Sequence, residues 1–128
     1  VSYIWIAVGA GLGGMLRYWV SGMVARFGPD TFPLGTMLIN ISGSMFIGFF
    51  AALTGPQGRL LVAQNTRLFV MTGICGGFTT FSSFSLETLR LMQDRQWGLA
   101  TVNVLGSVAL CLLGVWLGNQ LAAGLNQR

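Results

Sequence analysis

Charge is the scarcest property of this chain. Asp, Glu, Lys and Arg make up 8% of its 128 residues, against 53% hydrophobic. An average soluble domain carries about 25% charged residues. So little charge cannot coat a water-facing surface of this size, which excludes an ordinary soluble domain. Lysine and histidine are absent, and all seven basic residues are arginines. They are scattered, so no nucleic-acid footprint forms. The two cysteines, Cys75 and Cys111, share no CxxC or Cys/His spacing. A zinc site and a disulfide framework are therefore excluded, and both cysteines read as small hydrophobes inside apolar segments. Without histidine or a buried acid pair, an enzyme would lack a base, and no nucleotide motif is present. No basic stretch precedes the first apolar run, so a cleaved signal peptide is not expected and the first helix should stay.

What is present is long apolar sequence divided by the few charges. Residues 1–16 are charge-free, and Arg17 is followed by apolar sequence to Ala25. Residues 31–58, 68–86 and 96–127 are also charge-free. An α-helix needs about 20 residues to cross a bilayer's hydrocarbon core. The expectation is an all-α membrane protein, one domain over 1–128, with spans at about 3–25, 34–54, 68–90 and 97–122. Short loops make consecutive spans antiparallel neighbours.

Arginines near span ends normally select the cytoplasmic side. Arg26, Arg90 and Arg95 fall on one face, and Arg59, Arg67 and Arg128 on the other. The equal tally gives the rule no preference, which is compatible with insertion in both directions and with an antiparallel homodimer. Gly9 and Gly13, Gly114 and Gly118, and the ridge Asn40–Ser44–Gly48 place small residues four apart, a pattern that lets helices approach closely in lipid.

The third span holds the informative stretch, Gly73-Ile-Cys-Gly-Gly-Phe-Thr-Thr-Phe-Ser-Ser-Phe-Ser85. Gly76, Gly77, Thr79 and Thr80 are weak helix formers in succession. Two readings stand: an intact helix packed closely through glycine, or a helix broken at mid-membrane. A break frees carbonyls, which protein, water or an ion must satisfy. Phe78, Phe81 and Phe84 recur every three residues, as packing or as a stripe whose ring edges carry partial positive charge. Thr80, Ser83 and Glu87 form a second stripe, with Glu87 able to pair with Arg90. Asn103, Ser107 and Cys111 form a third in the last span, suited to interhelical hydrogen bonds. Asn40 offers an amide donor. Arg17 either snorkels to an interface or sits in a wet vestibule that attracts anions.

These residues resemble one family. Gly76-Gly-Phe-Thr-Thr-Phe-Ser-Ser-Phe-Ser85, with Gly35-Thr-Met-Leu-Ile-Asn40 and Gly13-Gly-Met-Leu-Arg17 in order before it, is similar to the Fluc (CrcB) fluoride channels. The resemblance covers nearly the whole chain. It implies an antiparallel, dual-topology homodimer with two fluoride pores and a sodium ion at its centre. The carbonyls of Gly76 and Thr79 would hold that sodium. Phe81 and Phe84 would turn ring edges to fluoride, Asn40 would donate to the ion or orient the rings, and Ser82, Ser83, Glu87 and Ser107 would form a polar track. Arg17 matches the vestibule arginine. Asn103 and Cys111 stand where relatives vary.

The expected function is passive fluoride export across a bacterial inner membrane, with no enzymatic activity and no nucleic-acid partner. A proton-coupled antiporter of the small multidrug-resistance kind is one rival, but it requires a titratable carboxylate at mid-membrane. A non-transporting assembly subunit, its polar stripes used only for packing, is the other.

Overall fold

A computed structural model describes all residues, 1–128. It is entirely helical: α1 (Ser2–Phe27), α2 (Leu34–Leu53), α3 (Gln64–Arg67), a π-helical stretch (Leu68–Cys75), α4 (Gly76–Phe78), α5 (Phe81–Gln93) and α6 (Trp97–Asn126). Leu34–Leu53, Gln64–Gln93 and Trp97–Asn126 are long and apolar enough to cross a membrane. The chain is a multi-pass membrane protein. Its exposed large residues fit that setting: Tyr18, Leu105 and Leu112 face outward along the helices, as lipid-facing side chains do.

The helices pack in two close pairs. In the first, α1 lies on the π-helical stretch and α4. A Cβ on Gly13 would meet Ile74 O and come within 2.9 Å of Phe78 N, so only a hydrogen fits there. The second pair, α2 on α6, is the more extensive. Here a Cβ on Gly118 would meet Met45 O and approach Phe49 N to 2.9 Å. Small residues bring backbones this near where lipid leaves dispersion and local polarity as the forces between helices. Gly48 of the Asn40–Ser44–Gly48 ridge lies against Val115 in the same way.

Arg95 closes the turn between α5 and α6. Its φ is 60°, in the left-handed region where glycine is usual. The Gln96 amide donates to Leu91 O at 2.8 Å and the Arg95 amide to Met92 O at 3.0 Å, the paired bonds of a Schellman cap. At the opposite end Asn126 ties α6 to α2. Its Nδ2 donates to Ala52 O at 3.1 Å, and its Oδ1 accepts from the Arg59 amide at 2.8 Å. Arg67 reaches the hydroxyl of Thr54 at the end of α2. All three carboxylates, Asp30, Glu87 and Asp94, line one cleft of about 480 Å³ together with Arg90.

Candidate functional site

Two extended residues separate α4 from α5. Thr79 has φ −81° and ψ 157°, and Thr80 φ −152° and ψ 113°. Local chemistry explains where helix resumes. The Thr80 side chain accepts from the Ser83 amide at 3.1 Å, a hydroxyl N-cap for α5. The preceding turn closes on Cys75 O, which accepts both the Thr79 amide at 3.0 Å and the Thr79 hydroxyl at 2.9 Å.

The interruption redirects several peptide groups. In a continuous helix the Thr80 amide would bond Gly76 O and the Ser83 amide would bond Thr79 O. Here the Thr80 amide donates to Asn40 Oδ1 at 2.8 Å, and the Ser83 amide goes to the Thr80 hydroxyl. The carbonyls of Gly76 and Thr79 thus lose their i+4 helical partners. Asn40 Nδ2 donates to Thr80 O at 3.1 Å, so one amide side chain serves both polar groups of the Thr80 residue. Gly77 O accepts from Arg17 Nε at 3.1 Å.

A cavity of about 330 Å³ opens beside this interruption. Asn40, Phe81, Phe84 and Ser107 line it, together with Gly76 and Thr79. Ser44, Thr80, Cys75, Cys111 and Met71 complete its polar and sulfur lining. The rings of Phe81 and Phe84 stand 5.4 Å apart and tilted at 49°. Phe81 is 77% exposed, so its ring is not core filler.

The other residues singled out in the sequence lie elsewhere. Ser82 pairs with the Thr80 hydroxyl at 3.4 Å at the start of α5, and neither Ser82 nor Ser83 lines the cavity. Glu87 borders the polar cleft at the far end of α5. Its Oε1 accepts from the Thr36 hydroxyl at 2.7 Å, and its Oε2 is buried without a hydrogen-bond partner. Thr36, and not the neighbouring Arg90, is therefore the hydrogen-bond partner of Glu87.

A buried relay connects α5 and α6. Ser107 donates to Asn103 Oδ1 at 3.3 Å, Asn103 Nδ2 to the Thr88 hydroxyl at 2.9 Å, and Thr88 to Phe84 O at 2.7 Å. The relay runs from a cavity-lining hydroxyl to the carbonyl of a cavity-lining ring residue. Asn103 is 1% exposed, and its two hydrogen-bonding neighbours, Ser107 and Thr88, explain how α6 tolerates a buried amide. The four-residue spacing of Asn103 and Ser107 signalled their contact. Nothing in the sequence signalled Thr36 as the partner of Glu87 or Gly77 as the partner of Arg17.

Comparison with known proteins gives a consistent result along the chain. A protein named fluoride-specific ion channel FluC from Opitutus terrae is 56% identical over 124 residues, spanning 97% of this chain and 94% of the relative. Proteins of that name from Methylocella silvestris and Paramagnetospirillum magneticum are each 54% identical over 127 residues, 99% of this chain and 97% and 99% of theirs. The family described as CrcB-like protein, Camphor Resistance (CrcB), matches residues 4–119. With the interrupted helix, its cavity and these matches together, the chain belongs to the CrcB family.

Proposed function

We propose that the chain forms a passive, fluoride-selective channel that exports fluoride from the cytoplasm across a bacterial inner membrane. In this reading it works as an antiparallel homodimer of four-span subunits, with the Thr79–Thr80 interruption at mid-membrane. The observation that carries the proposal is the cavity where Asn40, Phe81, Phe84 and Ser107 converge. Relatives more than 50% identical over nearly the full length bear the name of a fluoride channel.

The lining suits a small anion. A phenyl ring has a negative face and a positive edge, so tilted rings can turn edges to an anion while their faces pack on apolar neighbours. The Asn40 amide carries two hydrogens. One is committed to Thr80 O, which leaves one for an ion. Ser107 spends its hydrogen on Asn103 Oδ1 at 3.3 Å, so its hydroxyl must turn before it can donate to an anion. Ser82, Ser83 and Glu87 extend the polar track beyond the cavity, and Arg17 stands at the vestibule. Fluoride binds water tightly, so close donors must replace that water. Chloride sheds water more easily, so a narrow bore must exclude it.

The freed carbonyls of Gly76 and Thr79 also fit a sodium ion in donor chemistry. They are neutral, hard oxygens without helical partners, and interrupted transmembrane helices hold cations with such groups. Two subunits would supply four of them. When bound, sodium would neutralise these dipoles at the dimer centre. This chain's own residues hold the residue that follows each carbonyl, Arg17 on Gly77 after Gly76 and Asn40 on Thr80 after Thr79.

A proton-coupled antiporter would need a carboxylate free to exchange protons with substrate. α1 has no acidic residue, and Glu87 borders the polar cleft at the far end of α5 and not the cavity at the interruption. The decisive experiment is efflux from liposomes containing purified protein, read with a fluoride electrode. Fluoride should leave at a rate set by membrane potential, with little chloride efflux in parallel vesicles. Equal chloride flux would defeat the narrow-bore argument, and obligatory exchange with protons would indicate a transporter.

A further inference from the structure

Arg17 is the one charged residue in the middle of α1, and its position has a backbone explanation. In a continuous helix Gly77 O would accept the amide hydrogen of Phe81. The extended Thr79 and Thr80 carry that amide away. Arg17 Nε donates to Gly77 O at 3.1 Å instead. The donor comes from a well-fixed base. Gly13, four residues earlier, admits no Cβ against Ile74 O and Phe78 N. Gly77 is equally crowded, with its Cβ position 2.9 Å from Ala10 Cα. Ala10, Gly13 and Arg17 thus form one stripe of α1 applied to the last helical turn before the interruption.

We infer that Arg17 is a positioning residue that replaces the lost amide hydrogen at Gly77 O and so fixes the path of the interrupted helix. Asn40 performs the matching task at Thr80. Each clamp adjoins one of the freed carbonyls, Gly77 following Gly76 and Thr80 following Thr79, and the ring of Phe81 comes immediately after. The bond, more than the guanidinium charge, is what the channel requires of Arg17. The consequence for conduction rests on the channel reading above; the consequence for the backbone does not.

The identity of the donating atom makes the inference testable. Nε lies four atoms out from Cα. Glutamine carries its amide nitrogen at the same distance, without charge. Lysine keeps the charge but has a methylene at that position and its nitrogen one atom further out. A positioning role therefore ranks R17Q above R17K, whereas a role in attracting anions ranks R17K above R17Q.

Arg17, R17Q, R17K and R17M proteins are purified, checked for assembly by size exclusion, and compared in two assays. The first is amide hydrogen exchange over residues 77–83 in lipid nanodiscs. The second is fluoride efflux from liposomes. Exchange should accelerate about tenfold or more in R17K and R17M, the scale expected for losing a hydrogen bond to a charged donor, and return toward the unsubstituted rate in R17Q. Flux should follow the same order. Unchanged exchange in R17M, or protection and flux retained in R17K but lost in R17Q, would overturn the inference. If the unsubstituted protein passes no fluoride, the channel reading fails, and the exchange ranking still decides the role of Arg17.

Discussion

The Asn40 side chain and the backbone of Thr80 are joined by two hydrogen bonds of opposite sense. Asn40 Nδ2 donates to Thr80 O at 3.1 Å, and the Thr80 amide donates to Asn40 Oδ1 at 2.8 Å. A carboxamide is the shortest side chain that offers one donor and one acceptor in this arrangement. N40A leaves both Thr80 groups unpaired, each at a cost of about 1–3 kcal/mol. N40D keeps the acceptor and loses the donor. Thermal unfolding in detergent should therefore rank Asn40 above N40D and N40D above N40A. Equal midpoints for all three would remove the clamp from the account.

The phenyl rings give the second prediction. F81I and F84I preserve apolar bulk and delete the positive ring edge. Each should reduce fluoride efflux from liposomes by at least about tenfold, which corresponds to one lost contact of about 1.4 kcal/mol in the rate-limiting step. The elution volume on size exclusion should not change. F84Y retains an edge and should be the milder substitution. Near-normal conduction in both isoleucine variants would reduce the rings to packing.

The third prediction concerns the buried relay. Asn103 is 1% exposed and serves Ser107 and Thr88 together. N103A should lower stability by about 1–3 kcal/mol through the hydroxyls it abandons and the space it opens. N103A combined with T88V should cost less than the sum of the two, because the second substitution removes a group the first has already orphaned. Full additivity in a double-mutant cycle would show that the two residues are not coupled.

Arg95 supplies the fourth. It holds a left-handed φ of 60° within a Schellman cap. Glycine adopts that conformation without the Cβ penalty of about 1 kcal/mol. R95G should raise the unfolding midpoint slightly. It also removes one of the three arginines, with Arg26 and Arg90, at that end of the helices, so a C-terminal reporter should shift from an even distribution toward one side of the membrane. An unchanged single orientation in both proteins would end the dual-topology proposal.

Much of the helical frame was legible in the sequence, because charge-free length and helix rise constrain it strongly. The second helix, expected at 34–54, runs over Leu34–Leu53. The last, expected at 97–122, continues to Asn126, since nothing polar enough to stop it intervenes and Asn126 is held by Ala52 and Arg59. The third begins at Gln64, earlier than the expected 68, because Arg67 is accommodated by Thr54. Its π-helical stretch at Leu68–Cys75 has no signature in residue type, and we have no physical account of it. Glycine and threonine in succession marked a weak point at 76–80. The assignment of partners to the freed groups was not legible, because it depends on which residues of α1 and α2 come to face that point. Arg17 illustrates this: composition made it conspicuous, and only packing revealed its acceptor.

The distribution of charge between the two ends has an electrical consequence. The end carrying Arg26, Arg90 and Arg95 also holds Asp30, Glu87 and Asp94 and is formally neutral, while Arg59, Arg67 and Arg128 stand at the other end without an acid. In the proposed four-span arrangement a single chain is therefore a dipole along the membrane normal, and a transmembrane voltage would pull on it in one direction. In the proposed antiparallel pair the two dipoles cancel. Voltage would then drive the permeating ion without reorienting the protein that surrounds it. Current through such a pair in symmetrical fluoride should be the same in magnitude at either polarity, with no voltage-dependent opening or closing.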